Sequence, residues 1–191
     1  MTFHPATQIA VMEHFYTIQG EGLYAGHAAY FIRLAGCDVG CVWCDVKESW
    51  TVEEKQLMLI DDLVNEVLKY PGRLIVITGG EPLMYDLTYL TNALKENGFQ
   101  INIETSGAYP ISGTLDWICV SPKKFKAPLA SVAALANELK VVIFNKSDFE
   151  WAESHRKTVS GNCKLYLQPE WSKRDEMTPL IIDYEIGRAH V

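Results

Sequence analysis

No stretch of this chain reaches the roughly 18 consecutive apolar residues that a membrane-spanning helix needs, although 48% of its residues are hydrophobic. Basic residues are in deficit: 17 Lys and Arg stand against 24 Asp and Glu, a formal net charge of -7, with no Lys/Arg-rich run. The electrostatic footprint of a nucleic-acid binder is therefore missing, and a small molecule is the expected partner. The opening Met1-Thr2-Phe3-His4-Pro5 lacks the basic flank and apolar run of a secretory signal. Cysteine is scarce, five in 191 residues, and three of the five crowd into one loop. No disulfide framework is expected from that pattern, and the chain reads as cytoplasmic. Repeats, low-complexity tracts and linkers are absent too, so the length predicts one domain with a substantial core.

What is present is an alternation of short apolar runs with segments of helical period, the pattern of an α/β domain with a largely parallel sheet. Strands are predicted at Ala29–Leu34, Leu74–Thr78, Gln100–Glu104, Asp116–Ser121, Leu139–Phe144 and Lys164–Gln168. Amphipathic helices are predicted at Ile60–Lys69, with Leu63, Val64, Val67 and Leu68 on one face, and at Leu87–Glu96, with Leu87, Leu90 and Leu94. Polar motifs follow the strand ends: Thr78-Gly79-Gly80-Glu81-Pro82, Glu104-Thr105-Ser106-Gly107 and Ser121-Pro122-Lys123-Lys124, with Cys37 just past the first strand. Parallel α/β architectures bind ligands at that edge, so these strand ends are expected to converge on one site.

Cys37, Cys41 and Cys44 have the spacing C-x₃-C-x₂-C. Thiolates hold cuboidal iron–sulfur clusters, and three of them leave one iron of a [4Fe–4S] cube open. A structural zinc site wants four Cys or His ligands; His14 or His27 could supply the fourth, but neither falls at a zinc-finger spacing. Cys119 and Cys163 sit inside apolar runs and read as small buried hydrophobes. Gly79-Gly80 would let a ligand approach the backbone closely. Before the first predicted strand, Gln19-Gly20-Glu21-Gly22 joins an amide and a carboxylate to a turn, and a carboxylate accepts a planar N–H edge in parallel. Arg33 interrupts an apolar strand, which calls for a carboxylate opposite it, from the protein or from a substrate.

The cysteine loop and the Gly79–Pro82 turn resemble those of the radical S-adenosylmethionine (SAM) superfamily. The ordered set Ile18–Gly22, the cysteine loop, Gly79–Pro82, Glu104–Gly107, Ser121–Lys123 and Leu167-Gln168-Pro169 is similar, from about Phe15 to Tyr184, to the 7-carboxy-7-deazaguanine synthases within it. The resemblance implies a partial, open (β/α)6-type barrel with mainly parallel strands. It also implies a lyase-type ring contraction of 6-carboxy-5,6,7,8-tetrahydropterin with loss of ammonia, as used in queuosine and other 7-deazapurine biosynthesis. A [4Fe–4S] cluster on Cys37, Cys41 and Cys44 would bind SAM at its open iron and cleave it reductively. SAM would be met by Trp43, Gly80, Glu81, Ser106, Ser121, Lys123 and Gln168, and the substrate by Gln19, Glu21, Arg33 and Thr105. Mg²⁺ is expected as well, but where the family often has a hydroxyl this chain has Val46, which leaves Asp45 as its candidate ligand. A flavodoxin- or ferredoxin-like electron donor and a homodimer are further implications.

Two other readings compete. A glycyl-radical-enzyme activating protein would share the cluster but would not need Gln19–Gly22, and a non-enzymatic iron–sulfur or zinc module would leave Gly79–Pro82 unexplained. The segment Glu185-Ile186-Gly187-Arg188-Ala189-His190-Val191 is also the translation, up to its stop codon, of a common sequencing adapter read after one G. It is therefore expected to be foreign, with residues 1–184 as the radical SAM domain. On that reading a last strand and part of a substrate lid would be missing, turnover would be impaired, and apolar surface near Leu165–Leu167 would be exposed.

Overall fold

The computed structural model describes residues 7–187. Its strands are β1 (Gln8–Ile18), β2 (Ala28–Leu34), β3 (Leu57–Leu59), β4 (Leu74–Gly79), β5 (Gln100–Thr105), β6 (Trp117–Val120), β7 (Glu138–Ile143) and β8 (Lys164–Pro169). They form one sheet in the order β3-β1-β2-β4-β5-β6-β7-β8. Neighbours from β2 to β8 run parallel, while β1 is antiparallel to both β2 and β3. The end strands β3 and β8 do not meet, so the sheet is an open, mainly parallel partial barrel. Five helices accompany it: α1 (Ile60–Val67), α2 (Thr88–Glu96), α3 (Ala130–Ala133), α4 (Ser147–Arg156) and α5 (Arg174–Ile186). Among them no helix is long and apolar enough to cross a membrane.

All six predicted strands are present, each with ends within one residue of those expected. The additions are β1 and the short β3, and β1 means that a strand precedes the Gln19–Gly22 motif as well as following it. His14–Ile18 belongs to the strand itself, held by a hairpin register that sets Phe15 opposite Phe31 and Glu13 opposite Arg33. Phe15 and Phe31 stack with centroids 5.4 Å apart, and His14 Nδ1 lies 2.6 Å from the Tyr30 hydroxyl. Only the turn that follows, Gln19 to His27, is the expected loop.

Strand side chains alternate between faces, and the two faces of this sheet differ in chemistry. Ile32 and Leu34, Ile75 and Ile77, Ile101 and Ile103, and Leu139 and Val141 point one way, into a core shared with Leu63, Val64 and Val67 of α1 and Leu90 and Leu94 of α2. The positions between them include Arg33, Thr78, Glu104 and Lys140, which line a cavity on the other face. On β8, Leu165 is exposed and Leu167 packs partly against the core, so the apolar exposure expected there is confined to Leu165. Glu185 and Ile186 close α5, and residues 188–191 of the expected foreign tail lie outside the described residues.

Removing most of a fully buried leucine leaves a cavity where helix meets sheet. Leu90→Ala is expected to lower unfolding free energy by about 2–5 kcal/mol. Leu135→Ala, at a position 57% exposed, should stay within about 0.5 kcal/mol of wild type. Urea denaturation of the two variants checks the contrast.

Candidate active site

The cysteine loop begins where β2 ends. Gly36 N–H donates to Ser49 O at 2.6 Å, Cys37 N–H to Trp50 O at 3.2 Å and Cys44 N–H to Cys41 O at 3.1 Å, so the loop is curled on its own backbone. Gly40, with φ of 74°, supplies the left-handed residue the curl requires. The Trp50 indole N–H donates to Cys44 Sγ at 3.3 Å, a contact with no sequence signature. Burial pushes the Cys37 and Cys41 thiols up. The three thiols are free and line one cavity of about 750 Å³. Among the described residues no three His, Cys, Asp or Glu side chains gather around a single ion. Three free thiols lining one cavity supply the three thiolates that a [4Fe–4S] cube with one open iron requires.

The Gly79–Pro82 turn is pinned directly beneath that loop. Gly80 N–H donates to Leu34 O at 3.0 Å and Glu81 N–H to Gly36 O at 2.9 Å. A Cβ on Gly80 would sit 2.3 Å from Gly36 O and 2.7 Å from Cys37 Cβ, so only glycine permits this approach. The carboxylate of Glu81, a residue placed on the SAM side by the resemblance, is turned inward, 1% exposed, and does not line the cavity. Its oxygens are already filled: Oε1 accepts from Leu83 N at 3.0 Å and Thr105 Oγ1 at 2.5 Å, and Oε2 from Ser106 N at 2.8 Å and Ser106 Oγ at 2.5 Å. Thr105, expected to hold substrate, lines the cavity with its hydroxyl committed to Glu81 and to the Gly107 N–H at 3.0 Å.

Past β6, Lys123 Nζ donates to Ser121 O at 2.7 Å and Ser121 Oγ at 2.5 Å, and burial pushes its ammonium down. Trp43 lines the cavity and packs against Phe125 and Phe144, with ring centroids at 5.0 and 6.0 Å. Asp45 and Val46 border the same cavity.

Gln19 and Glu21 enter from the opposite end. Their turn joins β1 to the start of β2 and crosses the N-terminal edge of the sheet, where Tyr24 meets Trp117 edge-on at 5.3 Å and Leu23 N–H donates to Glu138 Oε2 at 3.2 Å. The Gln19 side chain accepts from the Glu21 N–H at 3.1 Å, and its backbone bonds His27 and Gly26 across the turn. Glu21 extends to the middle of the sheet, where Lys140 donates to Oε2 at 2.6 Å and Gln168 Nε2 to Oε1 at 2.7 Å. Gln168, expected on the SAM side, is thus bonded to a substrate candidate. Arg33 has the carboxylate anticipated for it, Glu13 at 2.6 Å, and still borders the cavity.

Lys140 and Glu104 were missed as site residues. Lys140 pairs with Glu104 at 2.9 Å as well as with Glu21. Burial disfavours the Lys140 ammonium, but Glu104 and Glu21 outweigh burial and raise its proton affinity. Burial likewise opposes the Glu21 carboxylate, while Lys140 and Gln168 hold its carboxyl below the ordinary value. The signal that singles out Arg33, a charge flanked by apolar strand residues, is equally present at Leu139-Lys140-Val141.

A parallel sheet carrying three cysteines past one strand end and a pinned Gly-Gly-Glu-Pro turn past the next defines a radical SAM protein. The radical SAM superfamily matches residues 31–146, and the chain belongs to it. Within it the chain belongs to the 7-carboxy-7-deazaguanine synthase family. It is 55% identical over 176 residues to the 7-carboxy-7-deazaguanine synthase of Flavobacterium psychrophilum, covering 92% of this chain and 83% of that one. The Synechocystis enzyme of the same name is 48% identical over 84% of this chain and 77% of its own. The crystal structure of QueE from Escherichia coli superposes with a TM-score of 0.85 at 35% identity, covering 95% of this chain and 91% of that one.

Two measurements check this geometry. Gly80→Ala must push the turn away from Gly36 and Cys37, and is expected to reduce iron bound after anaerobic reconstitution to less than about half of wild type; full iron loading would contradict the pinned turn. The Glu21 bridge to Lys140 stabilises the fold above the ordinary carboxyl value of 4.5, and that contribution is lost as pH falls through the lowered native value. The loss of stability from pH 7 to pH 3 should therefore be smaller in Glu21→Gln than in wild type, as read by denaturant midpoints.

Proposed function

We propose that the chain converts 6-carboxy-5,6,7,8-tetrahydropterin to 7-carboxy-7-deazaguanine with loss of ammonia, in 7-deazapurine biosynthesis. The observation that carries this reading is that the cysteine loop and the Gln19–Glu21 turn open on the same cavity from opposite ends of the sheet. Cys37, Cys41 and Cys44 would hold a [4Fe–4S] cluster, which together with SAM supplies reductive cleavage and a radical able to take one hydrogen from the substrate.

The remaining work falls to the protein's own side chains. Gly80 exposes its backbone to SAM, Trp43 offers a face to the adenine, and Ser106, Ser121 and Lys123 provide polar contacts. Glu81 acts indirectly, by fixing Ser106 and Thr105. Gln19 and Glu21 would accept the N–H edge of the pterin, and Arg33, released from the more exposed Glu13, would receive its carboxylate in a bidentate pair. Gln168 spans the two halves of the site through its bond to Glu21. Orientation of one C–H bond towards the radical, with water excluded, is the main contribution such a site makes to rate. Asp45 would give Mg²⁺ a single carboxylate, the rest of its shell coming from substrate and water. A flavodoxin- or ferredoxin-like protein would deliver the electron. A homodimer in the cytoplasm is the expected working form.

The test is anaerobic incubation of reconstituted protein with dithionite, SAM and 6-carboxytetrahydropterin, followed by mass spectrometry for carboxydeazaguanine. Wild type is expected to form it. Cys37→Ala should lose iron and product together, whereas Cys119→Ala and Cys163→Ala should keep both. Glu21→Gln and Arg33→Met should cleave SAM without forming product, and wild-type product yield from these two would overturn the substrate assignments.

A further inference from the structure

One residue just past the cysteine loop touches both of its ends. The Trp50 carbonyl accepts from the Cys37 N–H at 3.2 Å, and the Trp50 indole N–H donates to Cys44 Sγ at 3.3 Å. Trp50 closes the short helical turn Lys47–Trp50, and that turn is fastened to the loop through the buried Ser49. The Ser49 carbonyl accepts from the Gly36 N–H at 2.6 Å, and its hydroxyl donates to Val46 O at 2.7 Å. The half-buried Trp50 borders the cavity that the three cysteines line. Its indole donor is thus carried by a turn that the loop's own backbone holds in place. Backbone N–H groups of Val39 and Gly40 serve the Cys37 sulfur from within the loop, whereas Trp50 reaches Cys44 from outside it.

We propose that Trp50 is a positioning residue that acts through Cys44, its N–H donating to the ligating sulfur and raising the reduction potential of the cluster. The inference rests on the cluster assigned to Cys37, Cys41 and Cys44, and not on the pterin reaction. An indole N–H is a donor only, and when buried it needs an acceptor. A tryptophan that merely packs would find one in a carbonyl or a water; this one is aimed at a sulfur placed to bind iron. Hydrogen bonds to cluster sulfurs are among the factors that set iron–sulfur potentials, and groups that contact the ligands tune a metal centre from outside it. The sign follows from charge. Reduction brings one electron from an external one-electron donor and moves no proton, the indole keeping its N–H. Negative charge on the Cys44 sulfur grows, the N–H dipole stabilises it, and the electron becomes easier to deliver.

Trp50→Phe separates the two contacts: it keeps the carbonyl that holds Cys37 and a ring in the cavity wall, and removes only the donor. After anaerobic reconstitution without SAM, iron and sulfide per chain are expected to match wild type. A dithionite titration followed by EPR should then show a lower midpoint, the reduced-to-oxidised ratio at a fixed potential falling at least about threefold, or ~28 mV by the one-electron constant of ~59 mV per tenfold change. Loss of packing alone would change loading or stability and leave the midpoint in place. Full loading with an unchanged or raised midpoint would overturn the inference. Should Trp50→Phe fail to load, pulsed EPR of the reduced cluster in protein labelled with indole-¹⁵N tryptophan decides. The labelled chain carries Trp43→Phe and Trp171→Phe, which remove the other two indoles bordering the cavity; a ¹⁵N coupling is expected, and its absence would overturn the contact. A cluster-free wild type would overturn the ligand assignment and this inference together. A loaded wild type that forms no carboxydeazaguanine, with the midpoint lowered in Trp50→Phe, would overturn the pterin reading alone.

Discussion

The buried carboxylate of Glu81 fixes the site. An ionisable group taken out of water is tolerable only when its oxygens are filled, and here four donors from two neighbouring segments fill them. Each donor ties Glu81 to something functional. Thr105 and Ser106 follow β5, and Leu83 N–H opens the short helical turn Pro82–Met84, for which Glu81 is the cap. On the other side the Glu81 backbone reaches Gly36, the residue before the first cysteine. Three consecutive positions in the sheet, β2, β4 and β5, are thereby registered at their ends, not just along their ladders. Pro82 suits the arrangement because it removes a donor where the helical turn begins and needs none.

Beneath that plane the sheet is divided by its own periodicity. One set of strand residues is aliphatic and packs on α1 and α2; the alternate set carries Arg33, Glu104 and Lys140. Charges on the inner face carry a desolvation penalty, and the pairing Glu13–Arg33 and Glu21–Lys140–Glu104 offsets it. Apolar replacements could pack there with no such penalty. Keeping charges on the cavity side is therefore a cost in stability that makes sense only where a polar ligand is to be recognised.

Much of this was legible from the residues. The parallel strands announce themselves as short apolar runs, and the cysteine spacing and the Gly79–Pro82 turn carry their chemistry openly. β1 was not legible: its aromatic-rich sequence runs straight into the Gln19–Gly22 motif with no turn residue to mark where the strand ends. α4 and α5 escaped because their apolar stripes are thin, with Asp148 and Ala152 the buried residues of one and Met177 and Ile181 those of the other, and because Pro179 lies inside α5. The role of Glu81 could not be read at all. A glutamate after two glycines looks the same whether it faces a ligand or the interior, and only the third dimension brings Thr105 and Ser106 to it. Lys140 needed the same argument as Arg33 together with knowledge of which strand lies across from Glu21.

The two functions of the cavity come from opposite ends of the sheet. Cysteines, glycine turn and hydroxyls sit where parallel strands end, the usual edge for ligands in such folds. Glu21 arrives instead from a hairpin turn at the strand starts, braced by Tyr24 on Trp117 and by Leu23 on Glu138. Gly22 allows that bracing: with φ of 68° it lies so close to the Glu138 carboxylate that a Cβ would fall 2.1 Å from Oε1. The turn is thus held in a conformation only glycine supplies, and Glu21 inherits its position from it. Such a division separates generation of the radical from choice of the molecule it meets. On the proposed function, selectivity falls to the turn that carries Gln19 and Glu21, consistent with function residing in sites carried by a fold and not in the fold itself.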